Sequence, residues 1–434
     1  MASTIPVISR EIDLTEFKGV QPGRSRRISV QPDNLSTYTS SSSTSDVFFS
    51  IPSSRNSFVQ TTATHLVFTV VGNATFTGTA PALALANGSG SSIIQAVETV
   101  IQNQQIENLL NYNVYAAMIE DLQPKERLAT TAQILQGSTS FKTGATISSA
   151  TTATDGIPIR CALPLYSCCL GAGAEQFMPM VDGIRLKVTL APTDVALVSG
   201  TVTDVTARVY KLSNISLQLE VMDFDSATMS ALVAQGGGVL KQHGTAVNNY
   251  QSTLQTSTAN NILIPARFSS VKAILCAARL SANISSPALE NTPGARVLPQ
   301  IKEYFFQVDG ANVPSVPVIV GASDASIFTG EALAEVIKVF GASNSVQFEA
   351  GFTKAQYQDI AGTDLTGSFM LGLNFESQDS AGSALISGRD LNSSNVYLNL
   401  THYANSVAAV LDAFALYDVV ISYNMMDGSI SMSK

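Results

Sequence analysis

Ile184-Arg185-Leu186-Lys187-Val188-Thr189-Leu190 places its apolar residues on one face and its polar residues on the other. Strict alternation has the period of a pleated strand, so this stretch predicts a half-buried β-strand. The same period recurs in Ser216-Leu217-Gln218-Leu219-Glu220-Val221 and in Val396-Tyr397-Leu398-Asn399-Leu400. The runs Leu66 to Val71 and Val419 to Tyr423 add further β-rich segments. Many short strands separated by Gly, Asn and Ser turns predict an all-β chain built of sandwiches or barrels.

Helical patterns are few and fall at informative places. Asp223 to Gly236 opens on carboxylate or Ser caps and closes on Gly, with Met229, Leu232 and Val233 on one side. It lies almost at mid-chain, and Gly236-Gly237-Gly238 and a polar stretch follow it before strand-like sequence resumes at Ile262-Leu263-Ile264. The domain boundary belongs there. Glu331 to Phe340 predicts a helix in the second half, and Gln105 to Leu122 predicts a longer one in the first, stopping before Pro124. Each half reads as strands, an inserted helix and more strands. The halves also end alike, with Tyr210-x4-Ile215-x-Leu217-x-Leu219 in one and Tyr417-x-Val419-x-Ile421-x-Tyr423 in the other. A tandem pair of β-sandwiches is the economical reading.

Composition narrows the function. Of 434 residues 13% are charged and 45% apolar, which excludes disorder for the bulk of the chain. A surface so poor in charge suits a protein covered by other copies of itself or by partners. With 24 basic and 33 acidic residues the net charge is −9, and no electrostatic footprint for nucleic acid is expected. The one basic knot is Arg24, Arg26 and Arg27. It reads as a solvated terminal turn, with contact to an inner partner as the sharper alternative. Residues 1–20 carry charges and no apolar core of a signal peptide, and Asp412 and Asp418 interrupt the longest apolar stretch, Val407 to Ile421. Synthesis in a cytosol is expected, without a transmembrane segment. Cys161, Cys168, Cys169 and Cys276 lack ligand spacing and predict buried thiols.

No catalytic constellation emerges. His65, His243 and His402 are far apart and lack metal or triad partners. Gly171-Ala172-Gly173 and Gly236-Gly237-Gly238 are incomplete as nucleotide fingerprints, and no Gly-x-Ser-x-Gly elbow occurs. Asp223-x-Asp225 resembles the opening of a calcium loop, but Ala227 at position five favours helix capping. No cofactor or metal is expected.

A set of local motifs runs in order along the chain. In the first half they are Gln105-Ile106-Glu107-Asn108-Leu109-Leu110-Asn111-Tyr112-Asn113-Val114, Met178-Pro179-Met180, and Tyr210-Lys211-Leu212-Ser213-Asn214-Ile215. In the second half they are the Asn261 to Lys272 segment, Tyr304-Phe305-Phe306-Gln307-Val308-Asp309-Gly310 with Pro314 and Pro317, and Gly372-Leu373-Asn374-Phe375-Glu376-Ser377 with Ser387-Gly388. Together they resemble the double jelly-roll major capsid proteins of DNA viruses, in the polinton-like virus, adintovirus and virophage grouping. The same architecture occurs in membrane-containing phages. The resemblance spans roughly residues 50 to 430.

That resemblance implies two tandem eight-stranded jelly rolls with a few inserted short helices. The expected division is a polar N-terminal arm over 1–45, a first roll over 46–222, a helical connector over 223–255 and a second roll over 256–434. It further implies a non-enzymatic tile of the virion shell. Three chains would form a pseudo-hexagonal capsomer, with lateral contacts, minor capsid and penton proteins as partners, and the arm as an inner contact that includes a membrane. The Ser/Thr/Ala/Gly-rich stretch Ala129 to Asp155 would be a surface loop. Two other classes stay open. A glycan-binding β-sandwich is disfavoured by the absence of Trp, and a β-sandwich glycoside hydrolase would draw on Glu107, Glu120, Glu303, Glu331 or Glu376.

Overall fold

Ile184–Leu190 is a strand whose burial alternates as its sequence does, with Ile184, Leu186, Val188 and Leu190 inward. The computed structural model that shows this describes residues 23–40, 45–74, 83–124, 126, 130–140, 142–144, 146–147, 156–171, 173, 177–199, 208–284, 293–323, 326–340, 350–360, 367–376, 388–404 and 406–434. The strand lies inside an antiparallel sheet ordered Asp46–Ser50, Ile184–Leu190, Ile94–Ile101, Gln104–Leu110.

The companion sheet is organised by one long strand, Arg208–Phe224. Gly23–Val30 and Thr37–Thr39 pair along one side of it. Ser57–Val59 and then His65–Ala74 pair along the other, and these carry Met178–Pro179 and Ile159–Pro164 at the outer edge. Counting interrupted strands once gives eight, ordered 1-8-3-6 in this sheet and 2-7-4-5 in the first. First strand beside last, wound across two sheets, is a jelly roll.

The second half repeats the order. Val239–Leu254, Ala409–Asn424, Val271–Leu280 and Leu371–Asn374 make one sheet, and Ala259–Ile264, Val396–His402, Ile301–Val308 and Ala311–Ile319 make the other. Ile430–Ser433 adds to the end of Ala409–Asn424. The chain is therefore a double jelly roll. Phe49, Phe68, Leu186 and Leu217 are buried in the first roll, and Tyr304, Phe306, Leu398 and Phe414 in the second. Each such side chain contributes about 1.5–3 kcal/mol through burial, which offsets the entropy cost of ordering long strands.

Several boundaries differ from expectation. Residues 23–40 are not an arm: Gly23–Val30 is paired strand, and Ser40 ties its end down through hydrogen bonds from Tyr210 N (3.1 Å) and Thr193 Oγ1 (2.9 Å). The remainder of the expected arm, residues 1–22, and Ser41–Thr44 lie outside the described residues. The connector contains its helix, Ser226–Gln235, with Asp225 accepting from Thr228 N at 2.8 Å, but Val239–Leu254 is already the first strand of the second roll. The helix expected over Gln105 to Leu122 is split into strand Gln104–Leu110 and helix Tyr112–Asp121 by Asn111, whose φ of 50° is left-handed. Within Ala129 to Asp155, the described Thr131–Gln136 is helical, and Gln136, Lys142 and Ile147 are buried, so this stretch is not wholly a surface loop; Ser148 to Asp155 lies outside the described residues.

Candidate functional site

The histidines hold structure. His402 Nδ1 donates to Pro299 O (2.8 Å) and its Nε2 accepts from Asn260 Nδ2 (3.1 Å), while burial pushes its pKa down. His65 Nδ1 bonds Ala63 O at 2.9 Å. All four cysteines are buried free thiols. Cys168 and Cys169 have Sγ atoms 3.5 Å apart, and burial raises Cys161 to about 12, far from a reactive thiolate. Among the described residues no group of His, Cys, Asp and Glu is placed to hold a metal. Four of the five candidate carboxylates are committed elsewhere. Glu107 accepts from Thr99 Oγ1 (2.8 Å), Cys168 N (2.9 Å) and Ser167 Oγ. Glu120 accepts from Ser89 and Ser91, Glu376 faces Lys272, and Glu331 accepts from Ile319 N.

Charge is concentrated instead where the rolls meet. Helix Tyr112–Asp121 of the first roll is buried along nearly its whole length, and Tyr115 packs on Phe414 of the second. At its start, Asn111 Nδ2 reaches Asp412 Oδ1 (2.8 Å), whose other oxygen pairs with Arg279 (3.0 Å). At its end, Asp121 bonds Arg296 of the second roll and Lys142 (2.9 Å), and Lys142 Nζ also donates to Gly367 O (2.9 Å). These charges are almost wholly out of water. A buried charge is tolerated only when paired: Asp121 and Arg296 pair across the two rolls, while Arg279 with Asp412 and Lys142 with Asp121 pair within one roll.

A second strip of the seam is built of bonds to backbone carbonyls, two from side chains and one from a backbone N–H. Strand Gln104–Leu110 packs beside Val239–Leu254. Gln102 Nε2 donates to Gly428 O (2.7 Å), Lys434 Nζ to Gln105 O (3.1 Å), and Thr245 N to Gly173 O (2.8 Å). The contact is close because Gly244 and Gly173 carry no Cβ, which would lie 2.4 Å from Cys168 O and 2.5 Å from Thr245 O respectively. These contacts join the two rolls along the seam.

The arginines singled out in sequence sit on the opposite edge, in strand Gly23–Val30. Arg26 Nε pairs with Asp223 Oδ2 at 2.6 Å, which holds that carboxyl below its ordinary range. Arg27 Nε bonds Gln218 Oε1 at 3.0 Å, and Arg24 stands opposite Asp223 in the ladder. All three are exposed, on a regular sheet edge rather than in a terminal turn. Strand Ala311–Ile319 is a sheet edge of the second roll, with Val316 69% and Ile319 51% exposed and Phe328 60% exposed nearby in sequence. Sequence reasoning missed the seam ions, although charged Asp412 and Arg279 inside otherwise apolar strands are the available signal.

No family model and no curated protein matches this chain. Solved structures do. The Faustovirus major capsid protein superposes with a TM-score of 0.63 at 9% identity, over 96% of this chain and 92% of that one. PBCV-1 VP54, fitted into a reconstruction of the virophage Sputnik, gives 0.61 at 13% identity over 96% and 98%. The mavirus major capsid protein gives 0.51 at 9% identity over 100% and 96%. At such identities the likeness is one of fold, and it runs over the whole double jelly roll.

Proposed function

We propose that this chain is the major capsid protein of a DNA virus, a structural tile rather than an enzyme. One observation carries the reading: two rolls of identical strand order, joined along a seam, superpose end to end on viral capsid proteins. A block of two similar rolls repeated three times about an axis presents six similar units, a near-hexagon that tiles a shell. The charge-poor surface agrees, because lateral faces between copies bury cheaply only when few charges must be desolvated. Its place is the virion shell. Its partners are copies of itself, then minor capsid and vertex proteins, with the first 22 residues as the inner or membrane-facing contact. Among the described residues no helix is long and apolar enough to cross a membrane. Electron microscopy of the purified protein tests this reading. Six-lobed, threefold-symmetric particles are expected, and isolated two-lobed bodies would count against it.

A further inference from the structure

The connector helix carries an apolar face that nothing among the described residues covers. Of the ten residues of Ser226–Gln235 only Met229 is buried. So short a helix is marginal in water by itself and depends on packing. Its open side borders a groove of about 650 Å³, lined by Met229, Val233, Ala234, Met425, Met426 and Arg55. Met426 is 80% exposed, yet its turn is pinned: Met425 N donates to Gly238 O (2.9 Å) and Met426 N to Asn424 Oδ1 (3.0 Å). Apolar side chains grouped along one groove and fixed in water mark a docking surface. Arg55 also lines an adjoining cleft of about 370 Å³ with Met180 and Val181, and it makes no ion pair among the described residues. The two hollows together suit an apolar segment with a carboxylate part-way along it.

We infer that the occupant is this chain's own segment Ile12 to Val20, which lies outside the described residues. The sheet shows where that segment enters. Gly23 pairs with Phe224 in an antiparallel ladder, so the chain before Gly23 is directed past Phe224 toward Asp225 and the start of the helix. Phe224 N donates to Asn56 O (2.9 Å), and Asn56 stands on the groove wall. Pro22 has no N–H with which to extend the ladder, which frees the segment to turn into the groove. Composition fits as well: Ile12, Leu14, Phe17 and Val20 alternate with the carboxylates Asp13 and Glu16. A ten-residue helix is about 15 Å long, a distance that about five extended residues span. Val20 and Phe17 therefore fall on the helix and Met426, Glu16 meets Arg55, and Leu14 and Ile12 reach Met180 and Val181. Residues 1–11 continue beyond the groove as the inner contact. The assignment concerns a single chain and stands whether or not copies associate into a shell.

Oxidation by dilute hydrogen peroxide, read methionine by methionine, tests the docking on the full-length protein. Met426 should become its sulfoxide roughly tenfold more slowly than in a chain lacking residues 1–20, the ratio for a groove filled about nine-tenths of the time. Phe17→Asp should abolish that protection and Arg55→Glu should weaken it, whereas Ser3→Asp, outside the docked segment, should leave it intact. Independently, Phe17→Cys combined with Val233→Cys should close a disulfide within one chain on mild oxidation, since the four native thiols are buried. Equal oxidation of Met426 with and without residues 1–20 would overturn the docking. A disulfide formed only between chains would assign the groove to a second copy, and protection seen only with added phosphatidylglycerol vesicles would assign it to lipid; either would overturn it too.

Discussion

Asn111 donates a 2.8 Å hydrogen bond to Asp412 across 301 residues of sequence, joining the entry of the first roll's seam helix to the first part of the second roll's strand Ala409–Asn424. Asp412 is fully buried and also takes Arg279 and Gln251. Asn111 does two jobs, because its left-handed backbone is one that Asn tolerates and most residues do not. Asn111→Ala should cost about 2 kcal/mol, and Asn111→Gly, which removes the bond but relieves the backbone, should cost about half as much. Asp412→Asn leaves Arg279 without its counter-charge and should cost about 3–5 kcal/mol. Denaturant unfolding of the three variants checks the order.

The other end of the helix predicts an asymmetry. Asp121 sits against two cations, Arg296 and Lys142, all buried. Burial pushes Arg296 down to about 9, still charged at neutral pH. Asp121→Asn should therefore destabilise by about 3–5 kcal/mol, since two buried cations lose their carboxylate. Lys142→Met removes one cation and keeps the Asp121–Arg296 pair, so it should cost clearly less. Paired thermal melts of the two variants measure the difference.

Glu120 supplies a pH dependence. Burial pushes its pKa up to about 7, against hydrogen bonds from Ser89 and Ser91 and the nearby Arg296, which pull it down. An unfolded Glu titrates near about 4.3. The folded state thus holds the proton more tightly, and the stability contributed is complete below about pH 4.3 and lost as pH rises through about 7. The loss is at most about 4 kcal/mol. Glu120→Gln should flatten stability over that window, which urea unfolding at a series of pH values reads directly.

Two glycines should respond in opposite ways. A Cβ at Gly244 would lie 2.4 Å from Cys168 O, a backbone atom of the other roll, whereas one at Gly330 meets nothing within 4 Å. Gly244→Ala should cost about 1–3 kcal/mol by prying the seam. Gly330→Ala, at the first turn of a helix, should be neutral or stabilising by up to about 1 kcal/mol. Melting temperatures of both variants give the comparison.

The rolls were legible because alternation survives wherever one strand face meets a core: Ile184–Leu190 and Val396–His402 show in burial the period written in their sequence. Gln105 to Leu122 misled because Ile106, Leu109 and Leu110 fit a helical period as well as a strand, and the break depends on a single left-handed Asn111. Gly23–Val30 reads as polar because an open edge strand keeps its charges in water. The pairing across the seam was beyond reach for a different reason. Asp121 with Arg296, and Asn111 with Asp412, are paired by the packing of two separate rolls, and no local spacing encodes that.

The central claim is a tile that exists as three copies, and absolute mass in solution tests it most directly. Light scattering of purified protein over a wide concentration range should give one species of about 137 kDa, three times the 45.7 kDa chain. A stable species of 45.7 kDa at every concentration would contradict the account.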